Sequence, residues 1–362
     1  MSLAKLLKDV RKSTGSTSFK DSKYSEITDW IDTGSYGLNR IISGDIHKGI
    51  PSGRVILMGG ESQTGKSFLA AKIIINALKQ GFDHVFYFDS EGGSLKDFFE
   101  KQGADLDKIE HILLESCEDA TIKILGVYTT INEYKANNPD AKFLLVTDSV
   151  GALVPTKLLT DAAKGKQAQD MGSRAKLINN LVKGCIIPAL KSNSSMLFLN
   201  HVYDNPAEMF TSKIKTQSGG KQLQYIPHVS LQCTKKLIKA ESNDEEFYGG
   251  NTLKFFTTKN RIVRPFLDAE LFIDFRKGIG KWEGLVDAAM KYGFIEQSGS
   301  YYTVPSFDDK KRYMKELLRR DDIWGTFIDD FNEKSLKDLQ YSSEEEREEF
   351  DKLEKKELEI ED

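Results

Sequence analysis

Cysteine is scarce in this 362-residue chain. Cys117, Cys185 and Cys233 are odd in number, widely spaced and set in apolar surroundings, a pattern that predicts buried thiols rather than disulfides or a thiolate metal site. The five histidines show no ligand spacing either. No apolar run approaches the length of a membrane span. The first residues carry Lys5, Lys8, Arg11 and Lys12 without an apolar core or a cleavage site, so no secretory signal is expected and the cytoplasm or nucleoid is the expected compartment.

A strong charge of one sign is also lacking, since the formal net charge is only −4. That average hides an asymmetry. Between Glu344 and Asp362 stand eleven Asp/Glu and four Lys/Arg, so the rest of the chain is slightly basic and a nucleic-acid partner stays open. The tail reads as a solvated segment, with competition for a basic surface as the alternative.

What is present is a phosphate-loop pattern. Gly60-Glu61-Ser62-Gln63-Thr64-Gly65-Lys66-Ser67 has a glycine, four free positions, a second glycine, a lysine and a hydroxyl residue, without mismatch. The glycines let backbone N–H groups close on phosphate oxygens, Lys66 supplies a point charge, and Ser67 offers its hydroxyl to Mg²⁺. Context supports a nucleotide site over a plain turn: Val55 to Met58 reads as a buried strand, and Phe68, Leu69, Ile73, Ile74, Ala77 and Leu78 recur at helical spacing. Phosphates would then meet a helix N-terminus.

The alternation continues. Val85 to Phe88 predicts a strand ending in Asp89-Ser90-Glu91, where Glu91 is either a base for an attacking water or a solvated cap for a helix near Ser94. Ile112 to Leu114 predicts a strand and Ile122 to Tyr134 a helix. Phe143 to Thr147 runs apolar into Asp148, the acid expected to hold a metal through water. Met196 to Leu199 predicts another strand, ending in Asn200-His201, with His201 either structural or a sensor of the γ-phosphate. Two long connections follow these strands, Pro155 to Asp170 and Tyr203 to Lys221; they carry Lys157, Lys164, Lys166, Lys213, Lys215 and Lys221 with Met209-Phe210 and Gly219-Gly220. Cations with an aromatic wedge suit single-stranded nucleic acid; a lid over a small substrate is the alternative.

Val229 to Thr234, Leu253 to Thr258 and Ala269 to Phe275 predict strands without intervening helices, an antiparallel finish to the sheet. Lys259-Asn260-Arg261 follows the middle one, as a charged hairpin end or as a cation pair completing a neighbour's site. From Lys281 the pattern predicts a helix over Trp282 to Tyr292, a hairpin around Gly299 and a helix over Asp309 to Arg320.

Taken together, Asp32-Thr33-Gly34-Ser35, the phosphate loop, Phe88 to Glu91, Lys101 to Asp105, Thr147 to Val150, Asn200-His201, Glu208-Met209-Phe210 and Lys259 to Arg261 resemble the RecA-type recombinase family. The likeness is nearest to the family's UvsX branch from T-even-like phages. It implies an α/β fold: a RecA-like P-loop ATPase core with a mixed, mainly parallel central sheet, a short N-terminal arm and a small C-terminal α+β domain. The expected division is an arm over 1–30, possibly filament-forming, a core over 31–280, a small domain over 281–340 and an acidic tail over 341–362.

The resemblance further implies Glu91 as catalytic glutamate, Phe98 as the aromatic stacked on adenine, and His201 as the switch between γ-phosphate and DNA. Lys259 and Arg261 match cations reaching an adjacent subunit's ATP. Two DNA loops are implied, the first near Met171, Arg174, Lys176 and Lys183, the second with Met209, Phe210, Gly219, Gly220 and Lys221. Cofactors would be ATP and Mg²⁺. Partners would be single-stranded DNA, homologous duplex DNA, further copies in a helical filament, and single-strand-binding and mediator proteins, in a bacterial host's cytoplasm if phage-encoded. Ser67 replaces the bacterial threonine, the stretch between Asp204 and Ser218 resembles the family less well, and the arm before Ser25 matches only in being short and partly helical. A ring helicase and a non-enzymatic single-strand coating protein are the alternatives; intact Lys66, Glu91 and Asp148 lean against the second, and the paired Lys259/Arg261 against the first.

Overall fold

A computed structural model describes residues 2–93, 96–166, 172–203, 214–236, 250–274 and 277–341. The chain opens with α1 (Leu3–Thr14), capped by the Ser2 hydroxyl and ended by Gly15 at φ 66°. Leu3, Leu6, Leu7 and Val10 recur at helical spacing, and all four are exposed. An antiparallel pair, β1 (Trp30–Ile31) with β2 (Ile50–Pro51), brackets α2 (Tyr36–Ser43), whose Leu38, Ile41 and Ile42 are buried.

Strands and helices then alternate through β3 (Val55–Gly60), α3 (Lys66–Lys79), β4 (His84–Asp89), α4 (Lys96–Lys101), β5 (Ile109–Leu113), α5 (Cys117–Lys135), β6 (Phe143–Asp148), α6 (Thr156–Ala163), α7 (Ser173–Ser192) and β7 (Ser195–Tyr203). The strands β8 (Thr216–Gln217), β9 (Val229–Lys236), β10 (Gly250–Asn260), β11 (Asp268–Asp274) and β12 (Gly278–Ile279) follow. They form one sheet in the order β12-β11-β10-β9-β3-β7-β6-β4-β5, with β8 beside β7. From β9 to β5 every neighbouring pair on this path is parallel.

The near-continuous apolar runs of β3, β6 and β7 require cover on both faces, and both are covered. Alternate residues of β3 divide between two cores. Ile56 and Met58 pack with Leu69, Ile73 and Ile74 of α3; Val55 and Leu57 pack on the other side with Ile124 of α5 and Val182 of α7. Cys117, Cys185 and Cys233 are buried and free, as the sequence predicts. Among the described residues no helix is long and apolar enough to cross a membrane.

The sheet finishes antiparallel as the sequence predicts: β9, which runs parallel to β3 on its other side, pairs antiparallel with β10, and β11 and β12 follow antiparallel in turn. Beyond Ile279 come α8 (Val286–Lys291), β13 (Glu296–Ser298), β14 (Tyr301–Val304), β15 (Asp308–Arg312), α9 (Met314–Leu317), α10 (Asp321–Trp324) and α11 (Ile328–Leu339). The hairpin around Gly299 is present. The helix expected over Trp282 to Tyr292 starts only at Val286, because Trp282 stacks on Trp324 at 4.9 Å and donates its indole N–H to Asp321. The helix expected over Asp309 to Arg320 is also corrected. Asp308 to Arg312 pairs as a strand with β14, fixed by the two-pronged Asp308–Arg312 bond at 2.6 Å for each nitrogen.

This terminal unit has its own apolar cluster around Trp324, Phe327 and Phe331. It docks on α2 through Arg40 Nε donating to Ser335 Oγ at 2.7 Å and Ser35 Oγ donating to the Glu283 carbonyl at 3.0 Å. A Cβ at Gly37 would lie 2.5 Å from that carbonyl oxygen, so only glycine permits the approach.

Candidate nucleotide site and adjoining loops

The sheet register sets Gly60 beside His201 and Asp89 beside Asp148. The C-terminal ends of four parallel strands therefore converge on one edge, the side where open α/β sheets hold ligands.

In the phosphate loop, Gln63 at φ 60° and Gly65 at φ 75° turn the backbone into α3, whose start carries no side-chain cap. Its first N–H groups are thus available to an anion. Lys66 Nζ donates to the carbonyls of Gly60 at 3.0 Å and Glu61 at 2.7 Å. Burial lowers its pKa, against the raising influence of Cys233, Asp148, Glu91 and Glu61. Thr64 Oγ1 donates to the Glu61 carbonyl at 2.8 Å. Asp148 is buried beside this loop, and burial raises its pKa while hydrogen bonds from Ser67 and Tyr87 act the other way. The Tyr87 hydroxyl lies 2.9 Å from Asp148 Oδ2.

Glu91 is held in place by groups that sequence reasoning missed. Asp89, at the end of β4, accepts the N–H groups of Glu91 at 2.9 Å and Gly92 at 2.8 Å, and meets His111 Nε2 at 3.3 Å. Ser90 Oγ donates to the Ser149 carbonyl at 2.6 Å and accepts the Ser149 N–H at 2.9 Å. Glu91 Oε1 then accepts Ser149 Oγ at 2.7 Å and lies 2.8 Å from His201 Nε2. Burial works to raise the Glu91 carboxyl. The bonds from Ser149 and His201, with the nearby charges of His201 and Lys66, outweigh it and hold the group below the usual carboxylate range. Only the register joins Ser149 to Glu91; no sequence spacing signals it.

Phe98 on α4 is half-buried, 6.2 Å from the Phe68 ring and 5.6 Å from Phe99, so an aromatic wall rises next to α3. Around the first long connection, Lys176 and Lys183 are exposed on α7. Arg174 turns inward instead: Nε donates to the Leu153 carbonyl at 2.9 Å, and another guanidinium nitrogen to Gly151 and to Ser218 Oγ. At the second connection, Gly219 and Gly220 adopt φ of 100° and 89°, Lys221 is exposed, and Asn200 Nδ2 donates to Gln217 Oε1 at 2.8 Å and to the Ser218 carbonyl at 3.0 Å. The Gln217 amide seals the phosphate-loop strand, since a Cβ on Gly59 would lie 2.4 Å from it. Met171, Met209 and Phe210 lie outside the described residues, as does the acidic tail beyond Tyr341.

Lys259 and Arg261 stand elsewhere. Lys259 opposes Ser230, and Ser230 opposes Leu57, so Lys259 lies two strands away and level with the middle of β3, roughly 10 Å along the sheet from Gly60 and 10 Å across it; Arg261, whose N–H donates to the His228 carbonyl, stands further still from Gly60. Lys259 Nζ donates to the carbonyls of Tyr225 and Pro227. Its pKa is pushed down to about 8, by burial first and the charge of Arg261 second. Asn260 anchors the turn by donating to the Ile42 carbonyl at 2.8 Å. In the same region His228 Nδ1 accepts the Val55 N–H at 3.0 Å, and its pKa falls to about 4 through burial and the charges of Arg54, Arg261 and Lys259.

A pH dependence follows from His228. The unfolded chain takes up a proton near the ordinary value of 6.5 that the folded chain refuses until about 4, so this stabilisation is complete above 6.5 and is lost as pH falls toward 4. Its expected size between pH 7 and pH 5 is on the order of 2 kcal/mol. Urea midpoints of the parent and His228→Asn at both pH values check it: the parent should lose more, and equal losses overturn the assignment.

Fold and site define a phosphate-loop protein of the parallel-sheet nucleotide-binding class, with a buried acid and a held glutamate at one sheet edge. Residues 1–280 match the family model described as the RecA N-terminal domain, and the chain belongs to the RecA family. It is similar to Protein RecA of Cereibacter sphaeroides, at 30% identity over 75% of this chain and 73% of that protein. It is also similar to Protein RecA of Rhodococcus opacus, at 29% over 80% and 78% of the two chains, and of Helicobacter pylori, at 29% over 83% and 81%.

Proposed function

We propose that this protein is an ATP-dependent homologous DNA recombinase, forming a helical filament on single-stranded DNA, pairing it with homologous duplex and exchanging strands. The observation that carries the reading is the 2.8 Å contact of Glu91 with His201. Glu91 faces the phosphate loop, and His201 sits on the strand that leads into the second long connection, so one contact links the hydrolytic site to the candidate DNA surface. Membership of the family supports it.

In this reading Lys66 exchanges its carbonyl partners for phosphate oxygens, and Ser67 with Asp148 would hold Mg²⁺. The metal, when bound, supplies positive charge to the phosphates. Glu91, kept ionised by Ser149 and His201, orients water and accepts its proton. Phe98 offers its ring to the adenine. Lys259 and Arg261 serve the ATP of an adjacent subunit, while Lys176, Lys183, Gly219, Gly220 and Lys221 lie where a single strand would run, with Arg174 supporting the loop roots and Met171, Met209 and Phe210 assigned by resemblance.

The division into arm, core, small domain and tail at 30, 280 and 340 belongs to the same reading. So do the position nearest the UvsX branch, action in a bacterial host's cytoplasm, and the single-strand-binding and mediator partners.

The test is ATP hydrolysis against added single-stranded DNA. Stimulation is expected, with a loss of about 10²-fold or more in Lys66→Ala. A rate indifferent to DNA overturns the reading, and failure to exchange strands despite stimulation indicates a motor instead.

A further inference from the structure

One ion pair outside the proposed reaction joins the two functional regions directly. Glu61 occupies the first variable position of the phosphate loop, and its carboxylate pairs with Lys215 Nζ. Lys215 is the residue before β8, where Thr216 and Gln217 pair with Tyr203 and Val202. Its backbone N–H donates to Gln232 Oε1 at 2.7 Å. The root of the second connection is therefore fixed, and the lysine reaches the phosphate loop from it.

The other half of Glu61 faces the nucleotide machinery, because its carbonyl accepts Lys66 Nζ at 2.7 Å. One residue thus touches the phosphate-neutralising lysine through its backbone and the second connection through its side chain. A carboxylate at the rim of a polyphosphate pocket is repelled by the ligand, whereas an ammonium group beside it is attracted by both anions. A triphosphate therefore competes for Lys66 with a carbonyl and for Lys215 with a carboxylate.

We propose that Glu61 and Lys215 form a triphosphate-sensitive tether between the phosphate loop and the root of the second connection, a coupling route separate from Glu91 and His201. It rests on the reading of this chain as a nucleotide-dependent DNA-binding protein. Both are positioning residues: the tether holds the root in one arrangement without nucleotide and yields as the triphosphate takes over the lysine. Coupling of this kind is reciprocal, so it appears in nucleotide affinity as well as in DNA affinity.

The experiment measures binding of a fluorescent oligothymidine and of a non-hydrolysable fluorescent ATP analogue to the full chain, each with and without the other ligand. The factor by which the analogue raises DNA affinity is expected to fall about threefold or more in Lys215→Met and in Glu61→Gln. The double variant should be no worse than either single one, since both remove the same link. Lys215→Arg, which keeps the pair, should retain the factor and controls for folding. The analogue alone should bind Glu61→Gln more tightly than the parent and Lys215→Met more weakly. A parent whose DNA affinity ignores the analogue overturns the functional reading beneath the proposal. A responsive parent with an unchanged factor in both single variants overturns the tether alone, as does a Lys215→Met protein that loses DNA affinity equally in both nucleotide states.

Discussion

Glu91→Gln is expected to lower ATP turnover by about 10²–10⁴-fold, the range a positioned general base contributes, while single-stranded DNA binding in the presence of ATP persists. The substitution is nearly isosteric, and the amide oxygen still accepts from Ser149 Oγ, which lies 2.7 Å from Oε1 in the parent. What disappears is the capacity to take a proton from water. Loss of turnover with retained nucleotide affinity is the signature of an interaction that acts in the transition state. The parent's pH profile follows from the same contacts. Because the Glu91 carboxyl is held below its ordinary value of 4.5, the base stays ionised as pH falls through that value and is lost only lower, as is the stability its partners contribute. Stopped turnover with ATP-dependent DNA retention is the expected result; undiminished hydrolysis by Glu91→Gln removes Glu91 from catalysis.

The second large effect concerns Lys259 and Arg261. An arginine supplied to a transferring phosphoryl group contributes about 10³–10⁵ in rate, so Arg261→Ala is expected to be nearly inactive. The sheet register makes the reason specific, for Lys259 lies level with Ser230 and Leu57, two strands across and three residues along from Gly60. In the structure Lys259 Nζ is engaged by the Tyr225 and Pro227 carbonyls, away from its own phosphate loop. Mixing Arg261→Ala with Lys66→Ala distinguishes service to a neighbour from a structural role. The first variant supplies intact phosphate loops and the second intact cations, so an equal random mixture should regain about a quarter of the parent's sites in a head-to-tail assembly. Two inactive proteins that remain inactive when mixed overturn the assignment.

The phosphate loop was legible because its chemistry is local: eight consecutive residues hold glycine, lysine and hydroxyl at fixed spacing, and the flanking strand and helix are encoded beside them. Asp148 was legible for a similar reason, as the end of an apolar run. The support of Glu91 was not. Asp89 bonds the Glu91 loop and Ser149 bonds the carboxylate itself, yet Ser149 meets Glu91 only because β4 and β6 pair with Asp89 opposite Asp148. Strand order is a long-range property that composition does not carry. The error at Asp309 to Arg320 has a different origin. Its charged residues suit an exposed helix face, but the Asp308–Arg312 bond and pairing with β14 decide in favour of a strand, a tertiary outcome overriding local preference.

If Lys259 and Arg261 serve a neighbour as proposed, the separation of the two groups has an arithmetic consequence. A row of n subunits joined so that each one's cations meet the next one's phosphate loop contains n − 1 finished sites, with one bare loop at one end and one bare cation pair at the other. Hydrolysis per subunit then rises with row length and levels off, and short oligonucleotides that seat only two or three subunits should give disproportionately slow turnover. The two ends also differ chemically: one presents a vacancy for nucleotide, the other a positive cap. On the proposed assembly, growth and shrinkage would therefore have a built-in direction, set by the separation of the two groups within one sheet.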